Sequence, residues 1–275
     1  MKFSSLKKAI AAALLLGVSA QQTHAGGFEL PNFIKRWELG YTYPMVFATY
    51  KSTERVSSPN GDQVFEANIE KNVRSNFGFG GLMGTYIPIT KLGRSALLAA
   101  GVNAMYNAYT WDYTHPTFQN YVTDAYGNVI GAHFDENSKS MPFTGGSVQL
   151  GLPVSLDVKF GAEASLQKHA KYTATIGVGA IPSGTITVDL DNAEYAWGVN
   201  PFAKAEIGAK AGIIWKLRFQ YTMGPVTFFN GNNTFTEGNT SSTRELIGNG
   251  IASVSLVLMP FSWNFQEDGW WNWHR

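Results

Sequence analysis

No cysteine occurs anywhere in the 275 residues. Disulfides, thiolate nucleophiles and cysteine-based zinc sites are therefore excluded. Charge is scarce too: 15% of the residues are Asp, Glu, Lys or Arg, with a formal net charge of +1, against roughly 25% charged residues in an average soluble domain. Near-neutrality argues against nucleic acid as a partner. Past the N-terminal segment, no run of residues approaches the ~20 apolar residues of a membrane helix. A membrane-embedded chain without such a run has only one architecture open to it, because helices and closed barrels alone satisfy every backbone group in lipid. Aromatic residues make up 14% of the chain, and there are 29 glycines.

Residues 1–25 read as a cleaved targeting segment. Lys2, Lys7 and Lys8 form a basic start, Ile10 to Val18 an apolar stretch too short to span, and Ser19-Ala20 or His24-Ala25 a small-residue cleavage site. No cysteine is present to accept a lipid. Ordered structure is expected from about Gly26.

The stretch from Ile213 to Met223 sets the pattern for the rest of the chain. Trp215, Leu217, Phe219 and Tyr221 alternate with Lys216, Arg218, Gln220 and Thr222. Strand side chains point alternately to two faces. An aromatic face opposite a cationic one fits a barrel strand with its apolar side in lipid and its polar side in the lumen. It also fits an edge strand of a soluble β-protein, and the remaining segments decide between them. Further strands are expected at residues 37–43, 76–89, 95–111, 148–159, 172–180, 200–208 and 251–261, making eight. The glycines at 78, 80 and 84 would suit a crowded lumen or a bend.

The connections alternate in length. Residues 51–74, 112–141, 181–199 and 225–248 are long and are expected to be loops. In the second of these the flanking strands should continue around a hairpin-like turn at Ala125-Tyr126-Gly127-Asn128. Residues 90–94, 160–171 and 209–212 are shorter. Long external loops, short periplasmic turns and an even strand count characterise outer-membrane barrels. The expectation is an all-β transmembrane antiparallel up-and-down barrel over residues 26–261, eight-stranded with ten as the alternative, ending in a Trp-rich periplasmic tail at 262–275.

The chain resembles the small eight-stranded outer-membrane barrels. It is similar to the OmpA/OmpX-type membrane domain and to PorT-like outer-membrane barrel families. The likeness rests on Leu150 to Gly161 (LGLPVSLDVKFG), the Gly-rich strand from Phe77 to Gly84, and the strand from Ser253 to Phe261. It implies a bacterial outer-membrane location, with lipopolysaccharide and phospholipid as surroundings. Such barrels usually end on an aromatic residue. Phe261 would fill that role here, yet residues 262–275 come after it.

The inward positions carry Glu38, Asp157, Lys159, Lys204, Glu206, Lys216 and Arg218. Eight strands leave an interior that side chains just fill, and buried charges must pair, so a closed, salt-bridged lumen is expected. Trp263, Phe265, Trp270, Trp271 and Trp273 in the tail fit either an interfacial girdle or a partner-docking peptide. No catalytic residue, metal ligand or cofactor motif stands out. His115 and His133 share a segment with Asp112, Asp124, Asp135 and Glu136, which is more simply a set of solvated polar residues. Asp189-Leu190-Asp191-Asn192 lacks the glycine and distal Glu of a full calcium loop. The expected function is non-enzymatic: an interaction subunit of an outer-membrane assembly, partnered by other outer-membrane or periplasmic proteins. A small-solute transport barrel is the alternative, and an outer-membrane enzyme is less favoured.

Overall fold

In the computed structural model, the described residues are 32–92, 95–138, 145–165, 170–189, 192–230, 235–237 and 239–264. The targeting segment and most of the tail, including Phe265, Trp270, Trp271 and Trp273, lie outside them. A short helix α1 (Asn32–Lys35) leads into β1 (Glu38–Ser57), β2 (Val64–Arg74), β3 (Phe77–Lys91) and β4 (Ala96–Trp111). A separate hairpin, β5 (His115–Thr123) and β6 (Val129–Ser138), comes after them. Next are β7 (Gly145–Gly151), β8 (Val154–Gly161), the single turn α2 (Ala162–Ser165), β9 (Tyr172–Asp189) and β10 (Asn192–Ala211). The chain continues through β11 (Ile213–Asn230), the short β12 (Phe235–Glu237) and β13 (Thr240–Met259).

Every pairing is antiparallel, and the ladder between β1 and β13, from Leu39↔Leu258 to Val56↔Thr240, closes the sheet on itself. Two ring positions are each filled by two segments. β2 and β3 both pair with β1, and β7 and β8 each bridge β4 and β9. The wall is thus an eight-strand barrel of transmembrane type, and the ten-strand alternative is set aside.

The outer face explains why these residues form a barrel and not a sandwich. Tyr41, Tyr43 and Phe47 on β1, Leu150 and Leu156 on β7 and β8, Ile176 and Val178 on β9, and Trp215 to Tyr221 at alternate positions on β11 are all exposed. A soluble domain rarely leaves so continuous an apolar surface in water. Aromatic side chains collect at both margins of this belt. Phe47, Phe77 and Trp197 lie toward the long-strand end, and Trp37, Tyr172 and Trp215 toward the short-turn end. Paired aromatic girdles of this kind mark the two interfaces of a bilayer.

Three expectations need correction. Residues 51–74, 181–199 and 225–248 are largely strand, because β1, β2, β9, β10, β11 and β13 run on past the apolar belt. On β1 the outer face there is polar, carried by Lys51, Thr53 and Arg55, so the lipid-facing signature vanishes while the ladder persists, whereas β9 and β10 keep Ile186, Val188, Tyr195, Trp197 and Val199 exposed. Thr49, Thr53 and Arg55 on β1 pair across to Asn72, Asn68 and Glu66 on β2 through side-chain hydrogen bonds. Second, β4 stops at Trp111, and the expected continuation is instead a two-stranded sheet of its own. That hairpin leans on β1 through the Tyr121 hydroxyl, which donates to the Ser57 carbonyl at 2.6 Å. Third, the strand expected over 148–159 is divided at Leu152-Pro153. Proline has no N–H for the ladder, although its carbonyl still accepts from Asn103 N at 2.9 Å.

Inside, a glycine on β3 makes room for an amide. Gly84 faces Asn103, and a Cβ there would lie 2.3 Å from the Asn103 Oδ1.

Candidate functional site

Four strands and one turn deliver charge to the lower lumen, the half nearer the short turns. β1 gives Glu38, β8 gives Asp157 and Lys159, β10 gives Lys204 and Glu206, and β11 gives Lys216 and Arg218. All seven are buried. They share the inward face because each lies in phase with the strand alternation. An eighth charge, Glu163, is absent from the sequence-based set. It sits on α2, in a segment expected to be a plain connection, and is fully buried. The available clue was an acid just past Gly161, a glycine whose positive φ turns the chain back toward Lys159.

The geometry is a cage around Lys216. Its ammonium donates to Glu38 Oε1 at 2.6 Å, Glu206 Oε2 at 2.8 Å and Glu163 Oε1 at 3.1 Å. Arg218 Nε donates to Glu206 Oε1 at 2.6 Å, and its Nη2 bonds Glu38 Oε2. Lys159 reaches Glu163 Oε1 at 2.8 Å and Glu38 Oε1 at 3.6 Å. Lys204 pairs with Asp157 Oδ2 at 2.9 Å. Gly177 permits that last meeting, since it is the cross-strand neighbour of both residues and a Cβ there would lie 2.2 Å from Asp157 Oδ1. Four carboxylates and four cations balance. Three of the carboxylates, on Glu38, Glu163 and Glu206, cluster closely enough to hold a metal ion, and the cation among them is the Lys216 ammonium. Buried charge of this density is tolerated only where the charges pair, and the buried Arg36 lies next to the cage, 5.7 Å from the Tyr86 ring.

Apolar contacts seal the cage toward the short turns, where Leu97, Ala99, Ala162, Ala164, Ile214 and Met259 cluster with Tyr86. The Tyr86 ring lies 4.2 Å from the Lys159 ammonium. Above the cage comes a polar layer. Thr42 and Ser255 hydroxyls meet at 2.9 Å, and Gln149 accepts from the Tyr109 hydroxyl at 2.9 Å and donates to Ser183 Oγ at 3.2 Å. A cavity of about 20 Å³ lies in this layer between Thr42, Asn103, Asn107 and Arg218. That is room for a single water.

Higher still, the lumen is stoppered by aromatic rings. Phe228 stands edge-on to Trp111 at 5.0 Å and to Tyr109 at 5.7 Å, and Tyr50 stacks on Tyr113 at 4.2 Å. The Trp111 indole N–H donates to Ser147 Oγ at 2.8 Å. A search for polar residues on the inward face misses this plug. Phase alone would have found it, since Phe228 falls on the same face of β11 as Lys216 and Arg218.

Among the described residues, His115 and His133 take separate positions along the hairpin. His115 and His133 belong to β5 and β6, not to a loop. His115 lies opposite Ser138 at the base of the hairpin, and His133 lies opposite Asn120. Asp124 closes the hairpin tip. Its carboxylate accepts from Asn128 Nδ2 at 2.9 Å, Asn128 N at 2.8 Å and Tyr126 N at 2.9 Å, and the Asn128 side chain leads in holding its pKa below the usual carboxylate value. Asp189 and Asn192 pair at the end of the β9–β10 ladder, and Leu190 and Asp191 lie outside the described residues. Of the tail, Trp263 is 56% exposed in a short 3-10 turn anchored by Ser262, whose hydroxyl accepts from Ile214 N at 2.7 Å.

No family model matches the chain, and no curated protein matches it. Among solved structures, the outer membrane protease OmpT of Escherichia coli aligns over 80% of this chain and 96% of its own, at 8% identity and a TM-score of 0.32. Ail, the attachment invasion locus protein of Yersinia pestis, aligns over 77% of this chain and 98% of its own, at 8% identity and a TM-score of 0.25. Ail in complex with the heparin analogue sucrose octasulfate gives 9% identity over the same shares, with a TM-score of 0.25.

Proposed function

We propose that this chain is a bacterial outer-membrane β-barrel that works without catalysis, as a structural or interaction subunit of a larger outer-membrane assembly. A secretion, insertion or uptake complex would use such a subunit. One observation carries the reading. The lumen is filled in succession by an apolar seal, a charge cage, a polar layer and an aromatic plug, so its business is with what touches its surfaces. The apolar belt makes lipopolysaccharide and phospholipid its solvent, and the resemblance to OmpA/OmpX-type and PorT-like barrels points the same way. Other outer-membrane or periplasmic proteins are the proposed partners. Trp263 and the tail aromatics beyond it are the proposed dock.

The test is isolation from native membranes in mild detergent through a tag on the β5–β6 hairpin, with co-purifying proteins identified by mass spectrometry. The expected result is a stoichiometric partner that is lost when Trp270, Trp271 and Trp273 become Ala. A lone, monodisperse barrel with a large, reproducible single-channel conductance overturns the reading in favour of small-solute transport. Turnover of a lipid or peptide that disappears in His115→Ala or His133→Ala overturns it in favour of an enzyme.

A further inference from the structure

The strands of the wall bring four cations to the lower lumen, Lys159, Lys204, Lys216 and Arg218, but only three carboxylates, Glu38, Asp157 and Glu206. The wall by itself is one carboxylate short. Glu163 makes up the difference, and it comes from α2, a turn that folds back into the mouth after β8 ends. Side chains grip this carboxylate from three strands. Lys159 on β8 holds Oε1 at 2.8 Å, Lys216 on β11 holds the same oxygen at 3.1 Å, and the Thr173 hydroxyl on β9 donates to Oε2 at 2.7 Å. The rest of the turn packs against the seal through small groups only. Its neighbours Ala162 and Ala164 offer a methyl group each to the apolar seal, and the Glu163 carbonyl accepts from the Tyr86 hydroxyl at 2.8 Å.

We propose that the lower mouth of the barrel is a carboxylate-binding site, and that the chain fills it with its own Glu163 as a tethered stopper. Withdrawing α2 leaves Lys159, Lys216 and Thr173 facing the mouth with a net surplus of one positive charge. A carboxylate arriving from that side, free or on a protein, finds the same three donors. The ring of ladders is complete without α2, so the stopper can leave without unpairing a strand. This goes beyond the subunit reading and requires only the barrel.

The test uses Glu163→Ala in the full barrel in detergent micelles, with folding checked by its heat-dependent migration on a gel. Thermal unfolding is expected to fall by about 5–15 °C, since a buried cation loses its closest partner. Tens of millimolar sodium formate is expected to restore at least half of the loss, and sodium chloride at the same concentration none of it. The double variant Glu163→Ala with Lys216→Met should show no rescue. An unchanged midpoint in Glu163→Ala, or equal effects of formate and chloride, overturns the proposal.

If Glu163→Ala does not fold, Ala164→Cys in the otherwise native chain replaces it. Ala164 is 1% exposed. Its maleimide labelling is expected to speed several-fold with formate but not with chloride, and equal rates in the two salts overturn the proposal. Repeating the labelling with a short Asp-containing peptide separates the sources. Acceleration by formate alone assigns the site to free small acids, and acceleration by both extends it to protein carboxylates.

Discussion

Lys216 and Phe228 lie on the same strand, both point inward, and both are fully buried. The first sits among three carboxylates, and the second among the rings of Trp111 and Tyr109. The lower lumen is filled by complementary charge and the upper by apolar volume. The two fillings differ in what they demand. A buried ion pair roughly breaks even against a hydrophobic replacement, yet loses heavily when one partner is removed. An aromatic cluster stabilises by the area it buries and by ring geometry, and it tolerates a misfit by repacking. On this comparison the upper plug supplies stability. The cage fixes how β1, β8, β10 and β11 are set against one another, because only one arrangement satisfies all its charges.

Glu206→Ala breaks the comparison most severely. It strips one partner from Lys216 and one from Arg218, and is expected to cost about 3–5 kcal/mol in urea-induced unfolding from micelles. Phe228→Ala, in the plug, should cost about 3 kcal/mol, the transfer and cavity loss of one large ring. Stability equal to the native protein in either variant would remove the distinction between the halves. Conductance sharpens the comparison further. Emptying the plug with Trp111→Ala and Phe228→Ala leaves the cage intact, so planar-bilayer current should stay at baseline, and a steady current would show that the cage does not close the lumen. Gly84→Ala tests the polar layer between the halves. Its Cβ would press on the Asn103 side chain, and the expected cost is about 1–2 kcal/mol in the same unfolding assay.

The smallest effect belongs outside the lumen. Asp124→Ala should loosen the hairpin tip in amide exchange and leave barrel unfolding unchanged. The Asp124 pKa is lowered in the folded state. Its contribution to the tip is therefore complete above the unfolded value of about 3.9 and fades as pH falls below it through the folded value. Backbone shifts of Tyr126 and Asn128 followed by NMR between about pH 5 and pH 2 check this, and shifts that move only above pH 5 would contradict it.

Much of the wall can be read from the sequence wherever one face meets lipid. The alternation at Trp215 to Thr222 and at Val148 to Lys159 separates outward from inward side chains, and that phase picks out the inward charges. Legibility fails where the outer solvent changes. Residues 51–57 keep the strand alternation, but Lys51, Thr53 and Arg55 replace the apolar outer face, and the stretch reads as a loop. It fails again where the inner filling changes, since Tyr50, Tyr109, Trp111 and Phe228 are apolar residues facing a lumen expected to be polar. Glu163 is lost for a third reason. A turn too short to show any periodicity carries its meaning only in three dimensions.

The ladder between β1 and β13 also governs how the molecule comes to exist. It joins Leu39 to Leu258 and Tyr50 to Leu246, so the first strand made waits for the last. Until β13 arrives, β1 and β11 both present open edges, which in water invite aggregation and in lipid cannot be tolerated. High contact order makes such closure slow. A chain ending before residue 240 would therefore not be a slightly smaller barrel. It would be an open sheet with two unsatisfied rims, and its fate would rest with whatever in the cell escorts unclosed strands.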